Sequence, residues 1–211
     1  MTGAVGGRWV VGVGRWLWVS LAVVVLAGCT LPQDSSPPPQ SYLLDGSGFS
    51  SPMARRSSGK TLLVTAPKAA PGFDSKQIAY IKEPLKLDYY NDSVWSDTPS
   101  KMLLPILVRA FEGTGAFKAV IAPPAPTLAD MRVDVDVIRL QQEFMTQPSR
   151  VRLTARIKVL SMRNGHVLAT QVFEVFEPAP SEDAYGAARA ANVAVQKLLG
   201  DMIPFALRYL G

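Results

Sequence analysis

The 211-residue chain has one cysteine, Cys29, and one histidine, His166. No disulfide can form within it, and a typical zinc site has too few His and Cys ligands to be built. There is no Gly-x-Ser-x-Gly elbow. A Ser-His-Asp triad would have to use His166, which follows Asn164-Gly165, a turn signal whose neighbours are usually exposed. Charged residues make up 18% of the chain and the formal net charge is +5. So mild a surplus does not argue for nucleic acid and is compatible with an anionic membrane surface. No internal repeat is present. The apolar run Trp16 to Leu26 falls short of the roughly 20 residues of a membrane-spanning helix. It has the length of a signal-peptide core, about 7–15 residues.

What is there begins with that run. Arg8 and Arg15 precede it, and no acidic residue stands before Cys29. It ends in Leu26-Ala27-Gly28-Cys29, which resembles the bacterial lipobox, whose Cys becomes the lipidated first residue of the mature protein. A lone Cys in an exported chain needs a reason, and lipidation supplies one. Residues 1–28 are therefore expected to be a lipoprotein signal peptide and Cys29 the lipid attachment site. The other reading is an uncleaved membrane anchor. Cleavage would leave 183 residues, about one domain, and lower the net charge to +3. Lipoprotein sorting in diderm bacteria implies inner-membrane retention when Asp follows the Cys. Thr30 points instead to the outer membrane, facing the periplasm, with the inner membrane as the alternative.

Residues 29–59 read as the lipidated Cys and a flexible Pro/Ser/Gly tether. Pro37-Pro38-Pro39 is stiff, and the Gly/Ser stretches after it are flexible and polar. Tyr42-Leu43-Leu44 interrupts the tether. It reads as a first edge strand docking on the domain, since three exposed apolar residues need a partner. The domain itself is expected over 60–211, folded without the tether.

Strands are expected at Thr61–Ala66, Gln77–Ile81, Leu85–Tyr90 and Phe117–Ile121. Thr98-Pro99 signals a helix start. Met102, Leu103, Ile106, Leu107, Ala110 and Phe111 form its apolar stripe. Pro105 should kink it and Gly113 close it with a left-handed cap. From Met131 to Val137 valines alternate with charges. The alternation then slips, so a β-bulge is expected at Val137-Ile138. A strand over Val151–Val159 follows, joined by an Asn164-Gly165 hairpin to one over His166–Phe176. A helix from near Ser181 carries Ala184, Ala188, Ala191, Val195, Leu198 and Met202 on one seam, and Pro204 ends or kinks it. The order predicts an α+β fold with a mostly antiparallel sheet and two main helices packed on one face.

Asp134 and Asp136 share a strand face and could bind a metal. Alternating with valines beside Arg132, they read better as a solvated charged face. Tyr89, Tyr90 and Trp95 read as packing or as a partner-binding rim. A two-residue turn at Asn164-Gly165 would pair Ile157 with Val172 and turn Phe173 and Val175 away from the helices. Phe173 and Val175 are therefore the candidate interaction face, for a homo-oligomer or another partner. No catalytic residue, metal site or cofactor is expected.

Leu62-Leu63-Val64-Thr65-Ala66-Pro67 and Pro71-Gly72-Phe73-Asp74-Ser75-Lys76-Gln77-Ile78-Ala79-Tyr80 look like the opening of a known family. The likeness continues through Leu87-Asp88-Tyr89-Tyr90, Trp95-Ser96-Asp97-Thr98-Pro99 and Phe111-Glu112-Gly113-Thr114-Gly115-Ala116-Phe117. These segments resemble the ABC-type transport auxiliary lipoprotein domain of the PqiC/YmbA type. The resemblance implies a non-catalytic, lipid-anchored accessory role beside an ABC transporter with an MCE-type substrate-binding protein. Such systems move phospholipids or other hydrophobic molecules across the cell envelope, and their ATPase, permease and MCE protein are separate chains. The competing readings are a lipoprotein of another envelope-assembly system and a lipoprotein hydrolase.

Overall fold

In the computed structural model the described residues are Gly3, 37–124 and 128–210. The run expected to be a signal peptide, Cys29 and Thr30 lie outside them. The elements are β1 (Gln40–Tyr42), β2 (Thr61–Val64), β3 (Lys68–Ala69), β4 (Gln77–Glu83), β5 (Lys86–Trp95), α1 (Pro99–Glu112), β6 (Ala119–Ile121), β7 (Met131–Glu143), β8 (Arg150–Ser161), β9 (Val167–Pro178) and α2 (Ala184–Leu210). The fold is α+β.

The sheet is built around β7. One edge of β7 pairs along its whole length with β8, antiparallel, and β8 pairs likewise with β9. Its other edge takes three short parallel strands in succession: β2 at Met131–Val133, β3 at Asp136–Val137 and β4 at Gln141–Glu143. β6 extends the sheet beyond β2 in parallel. β5 extends it beyond β4 antiparallel, and β1 lies parallel on β5. The sheet is thus mixed and not purely antiparallel: its long ladders are antiparallel, as expected, and five short parallel ladders join them. Side-chain alternation reports which face is buried, and it is blind to the direction of the neighbouring strand.

The bulge falls at Ile138: Val137 pairs with Ala155, Arg139 with Thr154, and Ile138 is skipped. On one face Val133, Val135 and Val137 meet Leu62, Val64, Leu153, Ala155 and Ile157 in a single buried cluster. Both helices close that face, α1 over β2, β3 and β6, and α2 over β8 and β9. Thr98 caps α1, its hydroxyl accepting from the Lys101 N–H, with Pro99 in the first turn. Pro105 sits inside the helix. The expected left-handed cap at Gly113 is not adopted. Gly113 is right-handed, and Gly115 takes the positive φ of 62°. Glycine at 113 has another cause, because a Cβ there would stand 2.7 Å from the Ser51 hydroxyl.

α2 starts later than the sequence suggested. Asp183 caps it, its carboxylate accepting from the Gly186 N–H at 2.7 Å. The helix also runs through Pro204 to Leu210 instead of ending there. Pro204 is exposed, so water can replace the lost hydrogen bond.

The stretch read as a tether is in large part domain. β1 pairs with Ser93–Trp95, and Leu44 is buried in the core. Ser51 donates to the Ala110 carbonyl, and the Ala54 and Ser58 N–H groups donate to Thr114 and Ala116. Asn192 of α2 donates to the Leu43 carbonyl and accepts from the Asp45 N–H. From Pro39 onward the chain is one compact unit. The Gly/Ser composition of 45–59 suggested mobility, but it serves a chain that must lie close on α1.

Candidate interaction surfaces

The hairpin forms, but its register departs from the expected one. The Ser161 N–H donates to the His166 carbonyl, and Leu160 pairs with Val167. Leu168 is then skipped, so Val159 pairs with Ala169, Ala155 with Phe173 and Leu153 with Val175. One bulged residue turns every later side chain to the other face. Phe173 and Val175, the candidate interaction face, therefore point into the core. Val175 is 8% exposed, and Phe173 packs edge-on against Phe205 of α2, ring centroids 5.6 Å apart. Val172 and Phe176 take the outward positions, 48% and 39% exposed.

The outward face of β7, β8 and β9 is a lattice of opposite charges. Arg132 donates twice to Asp134, at 2.6 and 2.9 Å, and Thr65 donates to the same carboxylate. Lys158 reaches Asp136 at 2.9 Å, with Arg156 at 3.9 Å. Arg150 and Arg152 converge on Glu143, whose side chain is 2% exposed. Arg152 also pairs with Glu174, and both arginines lie over the Phe176 ring. The Thr154 hydroxyl, followed by Arg152, holds the Glu174 carboxyl below its ordinary value. Arg132 and Asp134 are two apart on β7 and so share a face, and cross-strand spacing brings Lys158 and Arg156 to Asp136, so both carboxylates are paired with cations of the same face.

A polar network closes the far end of the same strands. Tyr90 donates to Gln142 at 2.7 Å, Gln142 to Ser149 at 2.7 Å, and the Ser149 N–H to Glu182 at 2.9 Å. Gln142 and Ser149 are fully buried. Burial, then the Asp183 charge, pushes the Tyr90 phenol above its ordinary value, while the bonds from Ser149 hold Glu182 below its own. Gln142 and Ser149 were not singled out in the sequence, although the polar run Gln141-Gln142-Glu143 at the end of a valine-rich strand was a signal. Of the aromatic trio, Trp95 is core, Tyr89 donates to the Gly72 carbonyl, and Tyr90 belongs to this network.

His166 and the buried Ser149 do not meet. His166 is exposed at one end of β8 and Ser149 is buried at the other, separated by a twelve-residue strand, about 36 Å. Among the described residues no group of three or more His, Cys, Asp and Glu could hold a metal. No described helix is long and apolar enough to cross a membrane.

The fold is an α+β domain whose outward β7–β9 face carries charges paired across neighbouring strands and along β7. Residues 42–203 match the family of ABC-type transport auxiliary lipoprotein components, and the chain belongs to that family. The protein XCC0632 from Xanthomonas campestris, assigned to the DUF330 family, has a similar structure: TM-score 0.70, 25% identity, covering 80% of this chain and 94% of that one. The fold is shared by an uncharacterized protein (TM-score 0.61, 12% identity, 80% and 98% covered). It is shared as well by the hypothetical protein CT253 from Chlamydia trachomatis (TM-score 0.51, 8% identity, 72% and 98% covered). No curated protein matches in sequence.

Proposed function

We propose that this chain is the lipid-anchored, non-catalytic accessory subunit of an MCE-type ABC transport system that moves lipids or other hydrophobic molecules across the cell envelope. The family match over residues 42–203 carries the reading. Leu26-Ala27-Gly28-Cys29 supports it, with residues 1–28 as a removed signal peptide and Cys29 as the lipidated residue. The pairing of Asp134 and Asp136 with cations of their own face speaks against a metal-binding or acid–base role for them. The chain sits at the outer membrane facing the periplasm, beside an MCE substrate-binding protein, with the permease and ATPase in the same system. About ten residues separate Cys29 from Pro39, and a chain of that length spans at most about 33–36 Å.

Crosslinking in intact envelopes, followed by capture of the tagged chain, tests the assignment. An MCE protein with its permease or ATPase should be recovered. Recovery of lipopolysaccharide- or pilus-assembly proteins instead would overturn it. Cys29→Ser should abolish labelling by a palmitate analogue and leave the precursor uncleaved. Labelling that persists would remove the anchor.

A further inference from the structure

One end of the domain gathers features that the transport reading leaves unused. β2 and β7 begin there, β8 ends there, and α2 finishes there. Backbone bonds tie its parts together: Ser58 N–H to the Ala116 carbonyl, Lys118 to Lys60, Asp130 to Thr61, and Met162 to Asp130, all 2.8–3.0 Å. Two cavities flank the last turns of α2. One, of about 290 Å³, is lined by Arg56, Phe117 and Leu207. The other, of about 320 Å³, is lined by Arg163, Leu168 and Tyr209.

Arg55, Arg56, Lys118, Arg163 and Arg208 are exposed at this end, and Lys60 lies among them half-buried. The acidic groups beside them are Glu112 and Asp130. Arg8, Arg15 and Asp34 precede residue 39, so the domain carries +4 of the chain's +5. These six cations and two anions account for all of it. Elsewhere, as on the outward face of β7 to β9, cations are largely matched by anions. Met162, Val167, Leu168 and Tyr209 stand exposed among the cations.

We propose that this end is a second membrane contact, which binds the anionic headgroups of phospholipids. Cations draw a surface onto an anionic bilayer, exposed apolar tips enter the headgroup boundary, and tyrosine favours that depth. The cations stand on separate turns, and a fluid headgroup layer requires no fixed register among them. The inference rests on Cys29 carrying the lipid, and the reach from it is then sufficient. The chain enters the domain beside β5, level with Leu140 through the β1, β5, β4 and β7 pairings. Met131 is nine strand residues away, about 30 Å, within the span of ten extended residues.

The test uses the full chain reconstituted into vesicles that contain a photoactivatable phospholipid. One set contains phosphatidylglycerol and the other only phosphatidylcholine. Crosslinked peptides are mapped by mass spectrometry. Labelling should concentrate at 54–58, 160–168 and 205–210 in the anionic vesicles and fall with added salt. Reversing Arg56, Lys118 and Arg163 to Glu should lower it at least about tenfold, since each cation near such a surface is worth roughly fivefold in binding. These side chains are exposed and make no ion pair among the described residues, so the thermal midpoint should not move. Vesicle-bound protein in total reports the anchor and reads out separately. Equal labelling at this end in neutral vesicles overturns the proposal. So does an unlabelled end on a chain that stays vesicle-bound, which would leave the surface to an acidic protein.

Discussion

Replacing Val175 and Val172 separately by Ala tests the register of β9 directly. The two-residue-turn register puts Val172 in the core and Val175 outside, and the structure has them reversed. Val175 is 8% exposed and lies opposite Leu153, which is fully buried. Val→Ala removes two methyl groups, worth about 0.8 kcal/mol each when buried. A residual cavity adds to that, so Val175→Ala should cost about 1.5–2.5 kcal/mol. Val172 is 48% exposed, and water fills the space its methyls leave. Val172→Ala should cost below about 0.8 kcal/mol. In a domain of this size 1 kcal/mol moves the thermal midpoint by about 2–4 °C. Val175→Ala should therefore melt about 3–10 °C lower and Val172→Ala within about 3 °C of the parent. Urea unfolding with unchanged slope would confirm that stability alone has changed. Equal losses, or a larger loss at Val172, would refute the bulge at Leu168 and restore Phe173 and Val175 as an outward face.

Asp183→Ala should cost about 1 kcal/mol by uncapping α2. The Ser181 hydroxyl, followed by the Gly186 N–H, lowers the Asp183 pKa from its ordinary 3.8. Its contribution is therefore complete above 3.8 and lost as pH falls through the lower folded value, and Asp183→Asn should flatten the acid limb of a stability–pH curve. Tyr90→Phe leaves the buried Gln142 carbonyl oxygen without its donor and should cost about 1–3 kcal/mol in urea unfolding. A chain begun at Lys60 loses β1, the burial of Leu44 and the bonds to Thr114 and Ala116. Its unfolding free energy should fall by at least about 2 kcal/mol relative to a chain begun at Pro37, and an unchanged value would return residues 40–59 to the tether.

Much of the fold was legible because local signals in this chain are strong. Thr98-Pro99 located a helix start through a capping hydroxyl and a ring that needs no partner for its nitrogen. The parity slip after Val137 located a bulge, since a continuous strand cannot change faces otherwise. Tyr42-Leu43-Leu44 read as a docked strand on the cost of exposing apolar side chains. Only Tyr42 ends that strand, however: Leu44 is buried and Leu43 is exposed. The candidate interaction face failed at one residue. Val167 and Leu168 are both apolar, so the sequence carries no parity slip to mark the bulge at Leu168.

The sequence by itself determined the periodicities: which residues can share a face, where helices are capped, and that Cys29 is the one thiol. These are properties of neighbours along the chain, set by backbone geometry and by the period of each element. Only the tertiary structure decided the rest. Burying Phe173 and Val175 against α2 selects the bulged register, because the helix covers one side of β8 and β9 and one apolar set must go beneath it. The three parallel partners of β7, the convergence of Arg150 and Arg152 on Glu143, and the meeting of Arg56, Lys118, Arg163 and Arg208 at one end follow from strand order. Strand order depends on how distant segments share a single core, and no local pattern records it.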